Sequence, residues 1–422
     1  MTPSHYVIIG NGVCGITAAF TLRARDKKAR ITVVSGESDF FFSRTALMYA
    51  FMDRMERRQL EPYERKVYAR EKIELRRGWV TDLDAHARTL TFADGATLAW
   101  DKLLLATGSL GNVPPLPNLS AAKDGVVRFV TLEDLDACER LATSSRSAVV
   151  VGGGLIGIEL VECLVHHGIE THFVVREDTY WPAALFPEEG EMVGAHLRRH
   201  GVHLHLHDEV TRVDVDSAAR VSGVVLKSGP ALAAQMLGLA VGVSPRVDAF
   251  KSVKTAPLVK RGVVVDRAFR TSLPSMFAAG DCAEVDGVVE QLWYAAKRQG
   301  VAAAHSMLGD DVAYAPPVFF NSSKFFEIEY TTVGRATPGP GKSLYRRHAS
   351  KDISQRIIVH DDVVVGFNML GSRWDHAVLE RFIAERRTLA YVGEHLHEAQ
   401  FDVEFGRVPL SAFAESLKEN GT

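Results

Sequence analysis

The sequence predicts an α/β protein with two doubly wound, parallel-sheet units and a C-terminal α+β domain. The first observation is a set of near-continuous apolar runs of strand length, Tyr6–Gly10, Ile31–Ser35, Leu103–Thr107, Ala148–Gly152 and Thr171–Arg176, as expected of parallel strands covered on both faces. The second is the helical apolar spacing of Val13–Arg25 and Leu155–His167 between those runs. The third is duplication: the strand–helix pattern starts near residue 6 and again near residue 148, as two copies of one unit would.

The remaining texture divides the chain. Gly111–Pro117 (GNVPPLP) is a Pro-rich crossing from one unit to the next, and Val241–Arg246 (VGVSPR) suits the return. After Pro316–Pro317, strand-like segments Phe325–Val333, Ile353–His360 and Val363–Leu370 precede a helical stretch at His376–Arg387. Strands followed by a helix make a separate α+β domain. Thr337–Lys342 (TPGPGK) reads as an exposed hairpin loop. The expected division is residues 1–112 with 246–320, residues 113–245, and residues 321–422.

Composition narrows the function classes. At 422 residues the chain is too long for one core. Lys plus Arg (49) nearly balance Asp plus Glu (52), so no global field attracts nucleic acid or an anionic membrane. No apolar run has the length of a membrane span, and the first, Tyr6–Ile9, is strand-sized. A cytoplasmic protein without membrane insertion is expected, as monomer or homodimer. The cysteines Cys14, Cys138, Cys163 and Cys282 are scattered without a CxxC pair, as in a reducing compartment.

The chemistry lies in two glycine loops. Gly10-Asn11-Gly12-Val13-Cys14-Gly15 follows a strand and opens a helix. There the first glycine makes the tight turn, the second admits a pyrophosphate, and the third lets helix and strand approach. The helix N-terminus supplies N–H donors and partial positive charge. Glu37, at the end of the second strand, is either the ribose-binding carboxylate or an exposed loop charge. Gly152-Gly153-Gly154-Leu155-Ile156-Gly157 repeats the pattern. Two Rossmann-like, three-layer domains would bind two dinucleotides, an arrangement suited to hydride transfer between stacked rings.

Further motifs, in order, make the resemblance specific. Thr271–Asp281 (TSLPSMFAAGD) is similar to the second FAD fingerprint of two-dinucleotide-domain flavoproteins, Leu105-Ala106-Thr107-Gly108 to their A-T-G strand end, and Gly242-Val243-Ser244-Pro245 to their G-x-x-P crossover. From about residue 5 to residue 320 the chain resembles the pyridine-nucleotide–disulfide oxidoreductase superfamily, most of all ferredoxin and rubredoxin reductases, apoptosis-inducing factor and the NAD(P)H-oxidising half of nitrite reductases.

The resemblance implies FAD and NAD(P)H as cofactors. It places Gly10, Gly12, Val13, Cys14, Gly15, Ala106, Thr107, Gly108 and Gly280 around FAD, with Asp281 on a ribityl hydroxyl. It puts Arg44 on the pyrophosphate, though a surface helix cap is the alternative, and the Val80 backbone on adenine. Leu292 and Trp293 would open a helix aimed at the flavin pyrimidine, the tryptophan being either functional or merely packed. Gly152, Gly154, Leu155, Ile156, Gly157 and Gly242 fall to NAD(P)H. Arg176 suits a 2′-phosphate and Glu177 a free ribose, while the intact Gly157 favours NADH. Glu159 falls near the nicotinamide. Many relatives pair that Glu with a Lys where this chain has Tyr49, so Tyr49 and Glu159 are expected to tune hydride transfer.

No cysteine occupies the relatives' redox position, aligned here with Ala46. The expected function is therefore a FAD-dependent NAD(P)H oxidoreductase passing electrons directly to a small rubredoxin- or ferredoxin-like protein. The alternatives are a small-molecule acceptor such as oxygen or quinone, and a redox-sensing interaction protein. Phe319–Phe326 sits where ferredoxin reductases present an aromatic-plus-Ser segment, although Asn321 aligns with their common Trp; most of its phenylalanines read as strand core. Gly334-Arg335 and Val365-Gly366 fit the same domain. His203, His205 and His207 alternate on one strand face, read as solvated rather than as a metal site. Ala295–Gly300 faintly resembles the quinone-site helix of type II NADH dehydrogenases, but Ala412–Asn420 is too short and polar for their membrane-binding terminus.

Overall fold

A computed structural model describes residues 3–251, 253–348, 351–401 and 408–415. The chain forms two compact units, one of Met1–Asn112, Arg128–Glu139 and Gly242–Ala315, the other of Val113–Val127, Arg140–Val241 and Pro316–Thr422.

The first unit is built on a five-stranded parallel sheet ordered Met276–Ala278, Lys102–Leu105, His5–Ile9, Arg30–Ser35, Ile73–Arg77. Its central strands are apolar runs because both faces are covered: Val7, Ile8, Leu103 and Leu104 have no exposed surface. The helix Val13–Arg25 spans the predicted residues and buries Ile16, Ala19 and Leu22. Full burial of a side chain such as Leu22 stabilises by roughly 1.5–3 kcal/mol. Trp293–Leu308 packs on it so closely that a Cβ on Gly300 would lie 2.4 Å from the Cys14 carbonyl oxygen. A short antiparallel pair, Ser109–Gly111 with Val243–Pro245, joins the two crossing segments within this unit.

The second unit repeats the plan. Its parallel sheet runs His203–Leu206, Glu170–Val175, Ser147–Val151, Met236–Leu239, Val126–Val127, with the helix Leu155–His166 after the second glycine loop. It also contains a six-stranded antiparallel sheet ordered Phe320–Phe325, Ile328–Gly334, Val363–Leu370, Ile353–His360, Lys342–His348, Ala414–Glu415. The helix His376–Ala384 buries Leu379 and Phe382, and the Asp375 carboxylate caps it by accepting from the Ala377 N–H.

Three expectations are corrected. Phe325–Val333 is not one strand: the chain reverses at Phe326 and Glu327, with φ of +44° and +71°. That left-handed pair makes a tight hairpin without the Gly or Asn that usually marks one. Thr337–Lys342 is not a hairpin loop, because the strands it connects are not neighbours in the sheet. His207 leaves the histidine row, since its φ of +53° turns it off the strand and its ring pairs with Asp178 at 2.6 Å. His203 and His205 remain on one face against His172, whose Nδ1 is 3.0 Å from His205 Nε2. Among the described residues no His, Cys, Asp and Glu group could hold a metal ion, and no helix is long and apolar enough to cross a membrane. Most of Ala412–Asn420 lies outside the described residues.

Candidate functional site

The two glycine loops share one construction. Gly10 has a φ of +118° and Gly152 one of +112°, and an added Cβ would stand 2.0 Å and 2.2 Å from the carbonyl oxygens of Ala106 and Ala240. A Cβ on Gly15 or Gly157 would strike the Gly10 or Gly152 oxygen, at 2.0 Å and 2.1 Å. A Cβ added to Gly12 or Gly154 would meet no atom within 4 Å beyond its own chain neighbours and helix backbone among the described residues. The first and third glycines are thus locked in protein, and the middle one leaves an open cradle at a helix N-terminus, the space a phosphate needs.

In the first unit the cradle opens into a cleft enclosing about 870 Å³, solvent at its mouth included. The expected residues Gly12, Val13, Cys14, Glu37, Arg44, Ala106, Thr107, Gly108, Gly280, Asp281 and Trp293 all line it. Gly10 and Gly15 support it from behind, while Val80 and Leu292 are not part of the lining. Val80 opens a separate antiparallel strand, Val80–Asp84, and Leu292 caps the helix that begins at Trp293.

Asp281 is half-buried, and its Oδ2 accepts a 2.7 Å hydrogen bond from the Ser109 hydroxyl. Burial pushes its carboxyl above the usual range, while Ser109 and the nearby Arg44 pull it down. The Gly280–Asp281 turn is pinned by Gln299, whose Oε1 accepts from the Gly280 N–H at 2.8 Å. Glu290 accepts in turn from Gln299 and from the Tyr314 hydroxyl. The buried indole N–H of Trp293 has no hydrogen-bond partner among the described residues.

Arg44 and Glu37, expected on different parts of one ligand, form a two-pronged pair at 3.0 Å and 2.5 Å. Glu37 also accepts from the Leu132 N–H, and Arg44 donates to the Val130 carbonyl. The segment around Thr131 and the residue Arg246 were missed by sequence reasoning. Arg246 stands directly after the G-x-x-P motif, which was the available signal.

The second unit brings Gly152, Gly154, Leu155, Ile156 and Gly157 together at the start of the helix Leu155–His166. Arg176 donates to Glu177 at 2.7 Å, so the two opposing selectivity groups neutralise each other. Gly242 belongs to the first unit. Farther along the helix, Glu159 accepts from Ser323 Oγ at 3.3 Å, and Glu162 accepts from the Phe326 N–H at 2.8 Å. Burial raises the Glu159 carboxyl to about 7, with Glu162 adding to the rise and Ser323 opposing it. Tyr49 sits half-buried on the helix Leu47–Phe51 of the first unit. Within the aromatic-plus-Ser segment Phe320, Phe325 and Phe326 are buried and Phe319 is exposed. The Gly334 and Gly366 backbones pack against Val365 and Arg335.

A second missed feature centres on the buried Arg356, Glu189 and Asn368, with Glu188 half-exposed at its edge. Arg356 bonds Glu189 at 2.8 Å and Glu188 at 2.9 Å, and Asn368 donates to Glu189 at 3.0 Å. The four cysteines are buried and form no disulfide among the described residues, and burial raises the Cys14, Cys138 and Cys282 thiols, so these three stay protonated.

FAD fits the first cleft on its polar groups: an open helix N-terminus, two arginines, a half-buried carboxylate and an indole N–H without a partner among the described residues. The family model described as pyridine nucleotide-disulphide oxidoreductase matches residues 4–300. The chain is 28% identical over 389 residues to the nitrite reductase [NAD(P)H] large subunit of Klebsiella oxytoca, covering 90% of this chain but 40% of that one. It is 30% identical to the ferredoxin–NAD(+) reductase subunit of the benzene 1,2-dioxygenase system of Pseudomonas putida, covering 74% and 76% of the two chains. The fold is that of the reductase in a covalent putidaredoxin reductase–putidaredoxin complex, with a TM-score of 0.81, 21% identity, and 92% and 94% covered. The chain belongs to the pyridine nucleotide-disulphide oxidoreductase family, whose FAD and NAD(P)H account for the two glycine loops.

Proposed function

We propose that this member of the family is a FAD-dependent NAD(P)H oxidoreductase that delivers electrons from reduced flavin to a small electron-transfer protein. The observation carrying this reading is the duplicated glycine cradle, one copy opening into a cleft furnished for FAD. On this assignment residues 1–112 and 246–320 hold FAD, residues 113–245 hold NAD(P)H, and residues 321–422 carry the acceptor's surface. Bound FAD supplies the step between a two-electron hydride donor and a one-electron acceptor.

The chain's own residues do the rest. The N–H groups after Gly12 and Gly154 would donate to pyrophosphate oxygens, and Asp281 would accept from a ribityl hydroxyl. The positive end of the helix Trp293–Leu308 would favour negative charge on the flavin. Tyr49 and Glu159 tune hydride transfer; at about 7, the Glu159 carboxyl holds or releases a proton near neutral pH. With three cysteines held as buried thiols, no thiolate relay is called on. The acceptor would then take its electrons from the flavin without a thiol in between. A ferredoxin- or rubredoxin-like protein is favoured because the relatives include a ferredoxin–NAD(+) reductase subunit and, at 29% identity, a rubredoxin–NAD(+) reductase, both of Pseudomonas putida. The protein works without membrane insertion, in the cytoplasm, as monomer or homodimer.

The test is steady-state turnover with NADH and with NADPH, using rubredoxin, ferredoxin, oxygen and a quinone as acceptors. A protein acceptor gives the fastest turnover, and that rate falls with ionic strength because encounter is steered by charge. Fastest turnover with oxygen or quinone, insensitive to salt, would replace the protein partner with a small molecule.

A further inference from the structure

Of the two arginines in the FAD cleft, Arg44 is already engaged: three of its hydrogen bonds go to Glu37 and to the Val130 carbonyl. Arg246 differs. Among the described residues its guanidinium has no carboxylate partner, and it lies 5.4 Å from the centre of the Trp79 ring. It is half-buried, and burial lowers its pKa, with Glu37 opposing that effect and Arg44 adding to it. Glu37 and Glu133 lend it attraction at a distance, but a cation held partly out of water without a bonded carboxylate gains from an anion arriving beside it.

Its backbone is fixed independently of its side chain. The Arg246 N–H donates to the Gly108 carbonyl at 2.8 Å, and its carbonyl accepts from Thr107 Oγ1 at 2.9 Å. The head is therefore presented from the A-T-G strand end. Trp79, its cation–π partner, covers Gly36 so closely that a Cβ there would fall inside the indole. Gly36 immediately precedes Glu37, at the strand end where this fold reads the adenosine ribose. The uncommitted charge thus stands at the adenosine end of the cleft.

We infer that Arg246 is the cation that meets the adenylate phosphate of FAD, with Trp79 holding its guanidinium in place. This rests on the cleft being the FAD site. Arg44 would then serve chiefly to position Glu37, and both could act without breaking their pair.

The test is flavin titration of the flavin-stripped protein, read by fluorescence quenching, for the native chain, Arg246→Leu and Arg246→Lys. FMN, which lacks the adenylate half, is the comparison ligand. Arg246→Leu is expected to weaken FAD roughly tenfold to a hundredfold, the span of a lost charge-assisted hydrogen bond, with FMN affinity changed less than about twofold. Arg246→Lys keeps the charge but loses the fork, so it should fall between. FAD affinity of the native chain should also fall more steeply with salt than that of Arg246→Leu. An unchanged melting temperature of the flavin-free variants separates this effect from misfolding. Native chain binding FAD, with Arg246→Leu binding it equally well, overturns the assignment of Arg246 alone. Equal losses for FAD and FMN overturn it too. A native chain that takes up no FAD overturns the cleft's assignment as well.

Discussion

The two glycine cradles are nearly superimposable in their constraints yet differ in what surrounds them. Both have a first glycine near φ +115°, a middle glycine with open space, and a third against the first one's oxygen. Around the first, the chain places a half-buried carboxylate, two arginines and an unsatisfied indole N–H. Around the second it offers one arginine tied to its neighbouring glutamate and, along the helix, a carboxyl with a pKa of about 7. The loop states that a dinucleotide binds. The side chains reached from other parts of the sequence state which one, and how permanently.

Substituting the third glycine of each loop breaks this comparison most forcefully. In Gly15→Ala the new methyl would lie 2.0 Å from the Gly10 oxygen, and the protein should purify colourless. In Gly157→Ala, where the distance is 2.1 Å, it should purify yellow but lose reduction by NAD(P)H. Absorbance of the purified proteins and a bleaching assay decide both. Loss of flavin from Gly157→Ala would mean that the cradles are assigned the wrong way round.

The buried Arg356–Glu189 pair has no counterpart in the described part of the first unit. Arg356→Met leaves Glu189 buried without its cation, and should cost about 3–5 kcal/mol. Denaturant unfolding should show that loss in far-UV circular dichroism. A change below about 1 kcal/mol would mean Glu189 is protonated in the native chain.

Glu159 gives a pH-dependent effect. Its folded-state value of about 7 lies above the ordinary 4.5. The protonated group thus contributes fully below about pH 4.5, and that contribution is lost as pH rises through 7. Glu159→Gln should therefore stabilise the protein at pH 8, by at most about 3 kcal/mol, and change little at pH 4. Equal urea midpoints for the two proteins at pH 8 would contradict the burial of that charge.

The smallest effect concerns nucleotide choice. Glu177→Ala frees Arg176 and should move the NADPH-to-NADH ratio of kcat/KM toward NADPH by about tenfold. Arg176→Ala should move it the other way. No shift in either variant would place the ribose away from this pair.

Much of the fold was legible because parallel strands buried on both faces leave unbroken apolar runs, as at Val7–Ile9 and Val149–Val151. The helix Val13–Arg25 was legible from its spacing, and the cleft lining from motifs that are contiguous in sequence. What escaped depends on contacts between distant residues. The Phe326–Glu327 reversal carries no turn residue, so only the pairing of Phe320–Phe325 with Ile328–Gly334 reveals it. Arg356 reads as a surface charge in an alternating strand until Glu189, 167 residues away, is seen beside it. Arg246 has only its place after the G-x-x-P motif to mark it; its meaning comes from Trp79 and the cleft.

The most direct measurement is anaerobic stopped-flow absorbance of the flavin-loaded protein mixed with NADH or NADPH. The flavin band should bleach rapidly with one of them, and return when a ferredoxin or rubredoxin is added. A bound flavin that neither nucleotide bleaches would contradict hydride transfer between the two cradles.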